Sequence, residues 1–212
     1  MDEYTRPEPD HAALLTIDTQ NDFTLPSGTA RIPGTAEIVP QMASLVEAFR
    51  ANEAPIVHVI RLYQEDGSNV DLCRRHPVED GESIVRPGTE GAELVAELKP
   101  DPTQQLATDH LLNGEFQSLG SNEWIMYKPR WGAFYNTSLD EFLTDRSIST
   151  LVVCGCNFPN CPRTTIYEAS ERDYRLVLVS DATSAIYDRG LDELRNIGVS
   201  VKTTEQTVEL LR

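Results

Sequence analysis

The sequence predicts a three-layer α/β/α sandwich around a mainly parallel sheet. Three observations carry this. Short apolar runs recur along the chain, and they alternate with segments of helical apolar spacing. Strands that alternate with helices form parallel sheets covered on both faces. The chain's 212 residues, 40% of them hydrophobic, suffice for one domain with a sizeable core and are few for two.

The elements read in order. "AALLTID" (12–18) is a buried strand that ends in an acid. The loop "TQNDFTLPSGTARIPGT" follows. Ile38, Val39, Met42, Leu45, Val46 and Phe49 then mark one face of a helix, with Pro40 expected in its first turn. "PIVHVI" (55–60) is the second strand. A long polar segment, 61–91, follows, and a loop of that length is functional or mobile. "AELVAEL" reads as a short helix. "EWIMYK" (123–128) is the third strand and "STLVVCGC" (149–156) the fourth. "RTTIYEASERD" is a helix with Ile166 and Ala169 inward. "YRLVLVSDA" is the fifth strand, ending at Asp181. "LDELRNIG" is a helix stopped by Gly198. "VSVKT" is the sixth strand, and "EQTVELLR" a terminal helix. No linker or repeat divides the chain. The expectation is a single domain over 1–212, with a six-stranded Rossmann-like sheet and a flexible N-terminal extension at 1–11.

Composition narrows the partners. A net charge of −16 repels nucleic acid and anionic membrane. The acidic, Pro-rich start has neither the basic nor the apolar region of a signal peptide. No apolar run approaches the ~18 residues of a membrane span. The expected location is the cytoplasm, where thiols stay reduced. Three of the four cysteines cluster at Cys154, Cys156 and Cys161, which is unlike a secreted disulfide framework.

In open parallel sheets, ligands bind outside the carboxyl ends of the strands. That rule selects Asp18 after the first strand, Lys128 after the third, and the loop "CGCNFPNCPRTT" after the fourth. Cys-x-Cys-x4-Cys spacing matches neither a zinc nor an iron–sulfur pattern, and no Cys-x-x-Cys redox pair is present. Cys154 reads as a core residue. Cys161 falls near a helix start with Pro162 behind it. There the helix dipole and a nearby ammonium favour a thiolate. Spacing leaves two readings open, an activated nucleophile or an inert loop cysteine.

Three stretches, "TIDTQNDF" (16–23), "YKPRWGAFYNTSLDEFL" (127–143) and "LVVCGCNFPNCPRTTIYEA" (151–169), resemble the isochorismatase-like cysteine hydrolases over about residues 12–204. That superfamily includes nicotinamidases, N-carbamoylsarcosine amidases, ureidoacrylate amidohydrolases and isochorismatases. The resemblance implies a catalytic triad of Asp18, Lys128 and Cys161, and a cis peptide joining Cys156 to Asn157. It also implies an oxyanion hole made by the N–H groups of Asn157 and Cys161. The implied reaction is hydrolysis of a C–N bond in a small amide, ureide or carbamoyl compound through a thioester, with no cofactor. Relatives commonly form homodimers or homotetramers. The metal-binding histidines of nicotinamidases have no counterpart in "VIRLYQED", so no metal is expected, and His58 is expected to face the core or a helix. Isochorismatases cleave a vinyl ether and typically lack the cysteine, so Cys161 favours C–N hydrolysis over that alternative. A non-catalytic α/β interaction domain is the other alternative. Phe158 and Pro159 depart from the commoner small-residue pattern of the nucleophile loop. Phe23, Arg61, Trp131, Phe134 and Phe158 are the candidate substrate contacts. Arg74 and Arg75 are further candidates for binding a carboxylate. Segment 62–90 is a candidate lid or subunit contact, and Asn21 and Asp22 are expected to hold the first loop together.

Overall fold

A computed structural model describes residues 2–211. Its sheet has seven strands: β1 (Ala12–Ile17), β2 (Ile56–Ile60), β3 (Gln117–Gly120), β4 (Glu123–Tyr127), β5 (Thr150–Gly155), β6 (Arg175–Thr183) and β7 (Ser200–Lys202). Their order is β3-β4-β2-β1-β5-β6-β7, and every pair is parallel except β3–β4. The six expected strands are all present. The seventh, β3, is a short polar hairpin partner at the sheet edge, and its sequence "QSLG" carries no apolar run to announce it.

The helices are α1 (Asn21–Thr24), α2 (Thr35–Ala51), α3 (Leu72–Glu79), α4 (Thr108–Leu112), α5 (Leu139–Thr144), α6 (Cys161–Ser170), α7 (Asp188–Asn196) and α8 (Thr204–Leu210). Alternate residues of the buried strands feed two cores. Ala12, Leu14, Val152 and Cys154 join Met42, Leu45 and Phe49 of α2 on one face. Ala13, Leu15, Ile17, Leu151 and Val153 join Ile166 and Ala169 of α6 and Leu194 of α7 on the other. This is the period-2 alternation of a sheet covered on both sides. Among the described residues no helix is long and apolar enough to cross a membrane.

Several expectations need correcting. Pro40 lies inside α2, because the helix begins at Thr35 behind Gly34, whose φ of 83° sets the entry turn. Pro40 is on the exposed face, so the carbonyl it leaves without a partner can bond water. "AELVAEL" is not one helix. Two 3-10 turns, Glu90–Ala92 and Ala96–Leu98, flank Leu94, which bridges Gln20. The fifth expected strand runs beyond Asp181 to Thr183. From Glu8 onward the expected flexible extension is pinned. The Glu8 N–H donates to Thr150 Oγ1 at 2.9 Å, and its carboxylate accepts from Ser149 Oγ at 2.6 Å and pairs with Arg175 at 3.0 Å. Met1 of that extension and Arg212 of the expected terminal helix lie outside the described residues.

His58 sits within the sheet, buried between Thr16 Oγ1 at 2.7 Å and Glu123 Oε1 at 2.9 Å. Arg50 of α2 closes the group with two 2.7 Å bonds to Glu123. Burial alone would raise the Glu123 carboxyl, but the bonds from Arg50 and His58 outweigh it and bring it down to about 2. A carboxyl depressed in the fold contributes stability above its unfolded value, near 4.5, and loses it as pH falls toward 2. Glu123→Gln is expected to cost about 1–3 kcal/mol at pH 7. It should also flatten the loss of stability between pH 4.5 and 2. Urea unfolding of both proteins across that range checks this, and parallel curves would count against it.

Candidate active site

The carboxyl edge of the sheet gathers the expected groups. Asp18 follows β1, Arg61 follows β2, Lys128 follows β4, and Cys161 opens α6 after β5. β2 lies between β4 and β1 and holds both neighbours. The Asp18 N–H donates to Val59 O at 2.9 Å, and the Lys128 N–H to Ile60 O at 3.0 Å. Asp18 takes φ 50°, a left-handed turn that aspartate tolerates better than bulkier residues. Lys128 Nζ donates to Asp18 Oδ2 at 2.9 Å and to Arg130 O at 3.3 Å.

Asp18, Lys128 and Cys161 are 3%, 0% and 5% exposed. The Cys161 thiol is close enough to the Asp18 carboxylate for that charge to act on it. Oδ1 of that carboxylate is buried and has no hydrogen-bond partner. Burial pushes the Cys161 thiol up to about 12; the Asp18 charge adds to the rise, and Lys128 and Arg61 oppose it. The helix start and the ammonium are in place, but desolvation and the facing carboxylate outweigh them.

The loop before Cys161 is built by backbone bonds. Gly155, at φ 113°, lets β5 run close against β1, where a Cβ would meet Ile17 O at 2.3 Å. The Cys156–Asn157 peptide is cis. The N–H of Cys156 donates to Ile17 O, that of Phe158 to Ser184 O, and that of Asn160 to Asn157 O. Among the described residues no acceptor takes the N–H of Asn157 or Cys161. Two side chains of α6 fasten the segment after Lys128. Thr165 Oγ1 accepts from Ala133 N at 3.1 Å, and Glu168 Oε2 from Phe134 N at 2.9 Å.

The other cysteines separate from Cys161. Cys154 and Cys156 lie in the core under α2, where burial raises both thiols well above their ordinary range. Cys73 is exposed. Among the described residues no group of three or more His, Cys, Asp or Glu side chains is gathered to hold a metal ion.

The candidate substrate contacts divide in two. Arg61 is buried at 1% exposure, and its guanidinium lies 5.3 Å from the Trp131 ring centre. Arg74, on α3, lies 5.1 Å from Phe23 and 5.6 Å from Trp131. Both arginines are near enough to Asp18 and Cys161 to feel their charge. Phe134 instead packs on Tyr174, with the Arg172 guanidinium 4.9 Å from its ring. Phe158 packs edge-on to Tyr187, against Gly190 of α7. These two rings are core contacts beneath the site. Arg75 donates to Val70 O at 3.3 Å, within its own segment.

Two positioning residues were not singled out by spacing. Gln20 donates to the carbonyls of Arg61 and Ala92 at 2.7 Å each and accepts from Arg61 N at 2.8 Å, which ties three chain segments together. Asp71 Oδ2 accepts from Arg61 and from Tyr63 Oη. The one local signal was an acid immediately before "LCRRHP", which reads as a helix cap. Here its side chain turns to Arg61 instead. Asp22 and Asn21 do hold the first loop. Asp22 accepts from Thr29 N at 3.2 Å and Val85 N at 2.6 Å, and Asn21 donates to Glu90 O at 2.8 Å.

The fold and site are those of a doubly wound α/β protein whose strand ends gather an acid, a lysine and a cysteine. The isochorismatase domain model matches residues 12–206, and the chain belongs to that family. It is 32% identical to a probable inactive nicotinamidase of Arabidopsis thaliana, over 95% of this chain and 96% of that one. It is 27% identical to the ureidoacrylate amidohydrolase RutB of Methylorubrum extorquens, over 91% of this chain and 80% of that one. A crystal structure of an isochorismatase family protein from Desulfovibrio vulgaris superposes with a TM-score of 0.81 at 33% identity, covering 95% of this chain and 98% of that one.

The coupling of Cys161 to Asp18 has a sign that can be measured. The Asp18 charge raises the thiol, while Lys128 and Arg61 lower it. In Asp18→Asn the rise is removed, so the pH profile of Cys161 alkylation by iodoacetamide should move to lower pH by about one unit or more. An unmoved profile would show that the two groups do not share a proton environment.

Proposed function

We propose that the chain is a cysteine amidohydrolase acting on a C–N bond of a small amide, ureide or carbamoyl compound. The observation that carries this reading is the buried contact set of Asp18, Lys128 and Cys161 at one rim. Support also comes from relatives whose names describe amide hydrolysis, such as the ureidoacrylate amidohydrolase.

The resting cysteine is a thiol, so attack needs a base at the moment of bond formation. Asp18 takes the thiol proton as Cys161 Sγ bonds to the carbonyl carbon. Lys128 holds the carboxylate in place through its 2.9 Å bond. The carbonyl oxygen gains charge and is received by the N–H groups of Asn157 and Cys161, which no internal acceptor occupies. The tetrahedral adduct collapses with cleavage of the C–N bond, and the proton on Asp18 passes to the leaving nitrogen. This leaves a thioester and an amine or ammonia. Water then adds to the thioester as Asp18 takes its proton. Collapse releases the acid and returns the proton to sulfur.

A catalytically idle domain is the second reading, favoured by the name of the Arabidopsis relative. One assay separates the two. A panel of primary amides, ureides and carbamoyl compounds, with isochorismate as the vinyl-ether arm, is run on wild type and Cys161→Ala. The proposal expects amine or ammonia release from one member and a loss of roughly 10³-fold or more in the variant. Turnover unchanged by the substitution, or turnover confined to isochorismate, would sink it.

A further inference from the structure

The rim beside the triad carries more positive charge than its carboxylates neutralise. Lys128 is matched by Asp18. Arg61 is matched by Asp71, and Arg130 Nε also approaches Asp71 at 4.0 Å. Among the described residues Arg74 has no carboxylate within ion-pair range, and its guanidinium makes a single hydrogen bond, a 3.4 Å contact to Tyr63 Oη. Four cations therefore face two carboxylates, within a chain whose net charge is −16.

The pairing of Arg61 is also incomplete at the level of atoms. Only Nη2 reaches Asp71, and Nε and Nη1 are buried with no hydrogen-bond partner. A buried guanidinium with unused N–H groups is costly unless an acceptor arrives. The environment is fixed rather than floppy. Trp131 lies within cation–π range of both guanidinium groups, Phe23 flanks Arg74, and Gln20 holds the Arg61 backbone. Asp71 supplies one negative charge: its Oδ2 accepts from both Arg61 and Tyr63, and its Oδ1 is buried without a hydrogen-bond partner.

We infer that this corner is an anion subsite, and that the substrate is an amide or ureide bearing a carboxylate, received by Arg61 and Arg74 between Phe23 and Trp131. The inference rests on the amidohydrolase reading, since it names the substrate class of that site. It differs from a purely structural role for the arginines, because structure would be served by one cation on Asp71.

Iodoacetate and iodoacetamide make the test, since they deliver nearly the same electrophile with and without a negative charge. Both react with the thiolate, so the ratio of their rates at Cys161 is independent of the thiol's ionisation. Exposed Cys73 serves as the internal standard. Peptide mapping should show an iodoacetate preference at Cys161 at least tenfold above that at Cys73. Arg74→Met should lose most of that preference, and so should Arg61→Gln if it folds. An equal ratio at the two cysteines, or a preference that survives Arg74→Met, overturns the anion subsite and leaves the nucleophile intact. Reaction of neither reagent with Cys161, while Cys73 is modified, overturns the nucleophile reading and this inference with it.

Discussion

The bond between Lys128 and Asp18 organises this molecule's functional rim. It joins the ends of β4 and β1 across the intervening β2, and both partners hang from consecutive carbonyls of β2. A one-residue slip of β2 would turn every one of its side chains to the opposite face. The register is held by apolar burial on both faces and by the His58 group between Thr16 and Glu123. The pair is thus placed by the sheet, and the remaining groups are placed relative to the pair. Cys161 comes up against Asp18, and Arg61 enters from the end of the strand that lies between the two.

The same pair explains why the cysteine is not a free thiolate. A buried ammonium favours ionised sulfur, but here it is already engaged by a carboxylate that faces the sulfur. Burial then decides the outcome in favour of the neutral thiol. Chemistry at such a site is a proton transfer inside a triad of fixed charge, with the net charge of the group unchanged as the proton moves from sulfur to oxygen.

Much of the fold was legible because the central strands are buried on both faces and read as continuous apolar runs bounded by turn residues. β3 was not, because an edge hairpin of "QSLG" has neither apolar continuity nor a strong alternation. "AELVAEL" misled because its apolar residues are used by an irregular segment that bridges Gln20, not by a helix face. The three rim groups could be placed from strand ends alone. The state of the thiol could not, since it depends on a tertiary approach between residues 143 positions apart in the chain. Arg61 stood out as a candidate, but its surplus of donors is visible only once Asp71, Tyr63 and Arg74 are seen around it. Phe134 and Phe158 stood beside the right motifs and yet pack on Tyr174, past the end of α6, and on Tyr187, at the start of α7, because proximity in sequence does not fix which way a ring points.

Suspending both Asp18 and Lys128 from β2 also sets how the protein can open. Their amide hydrogens are bonded to an interior strand of a seven-stranded sheet, so freeing them means parting β2 from its neighbours. The covering segment that carries Arg74 is of another kind. It has one regular helix, α3, on which Leu72 and Cys73 stand exposed. The reacting groups thus hang from the sheet, whereas Arg74 is carried outside it, on α3.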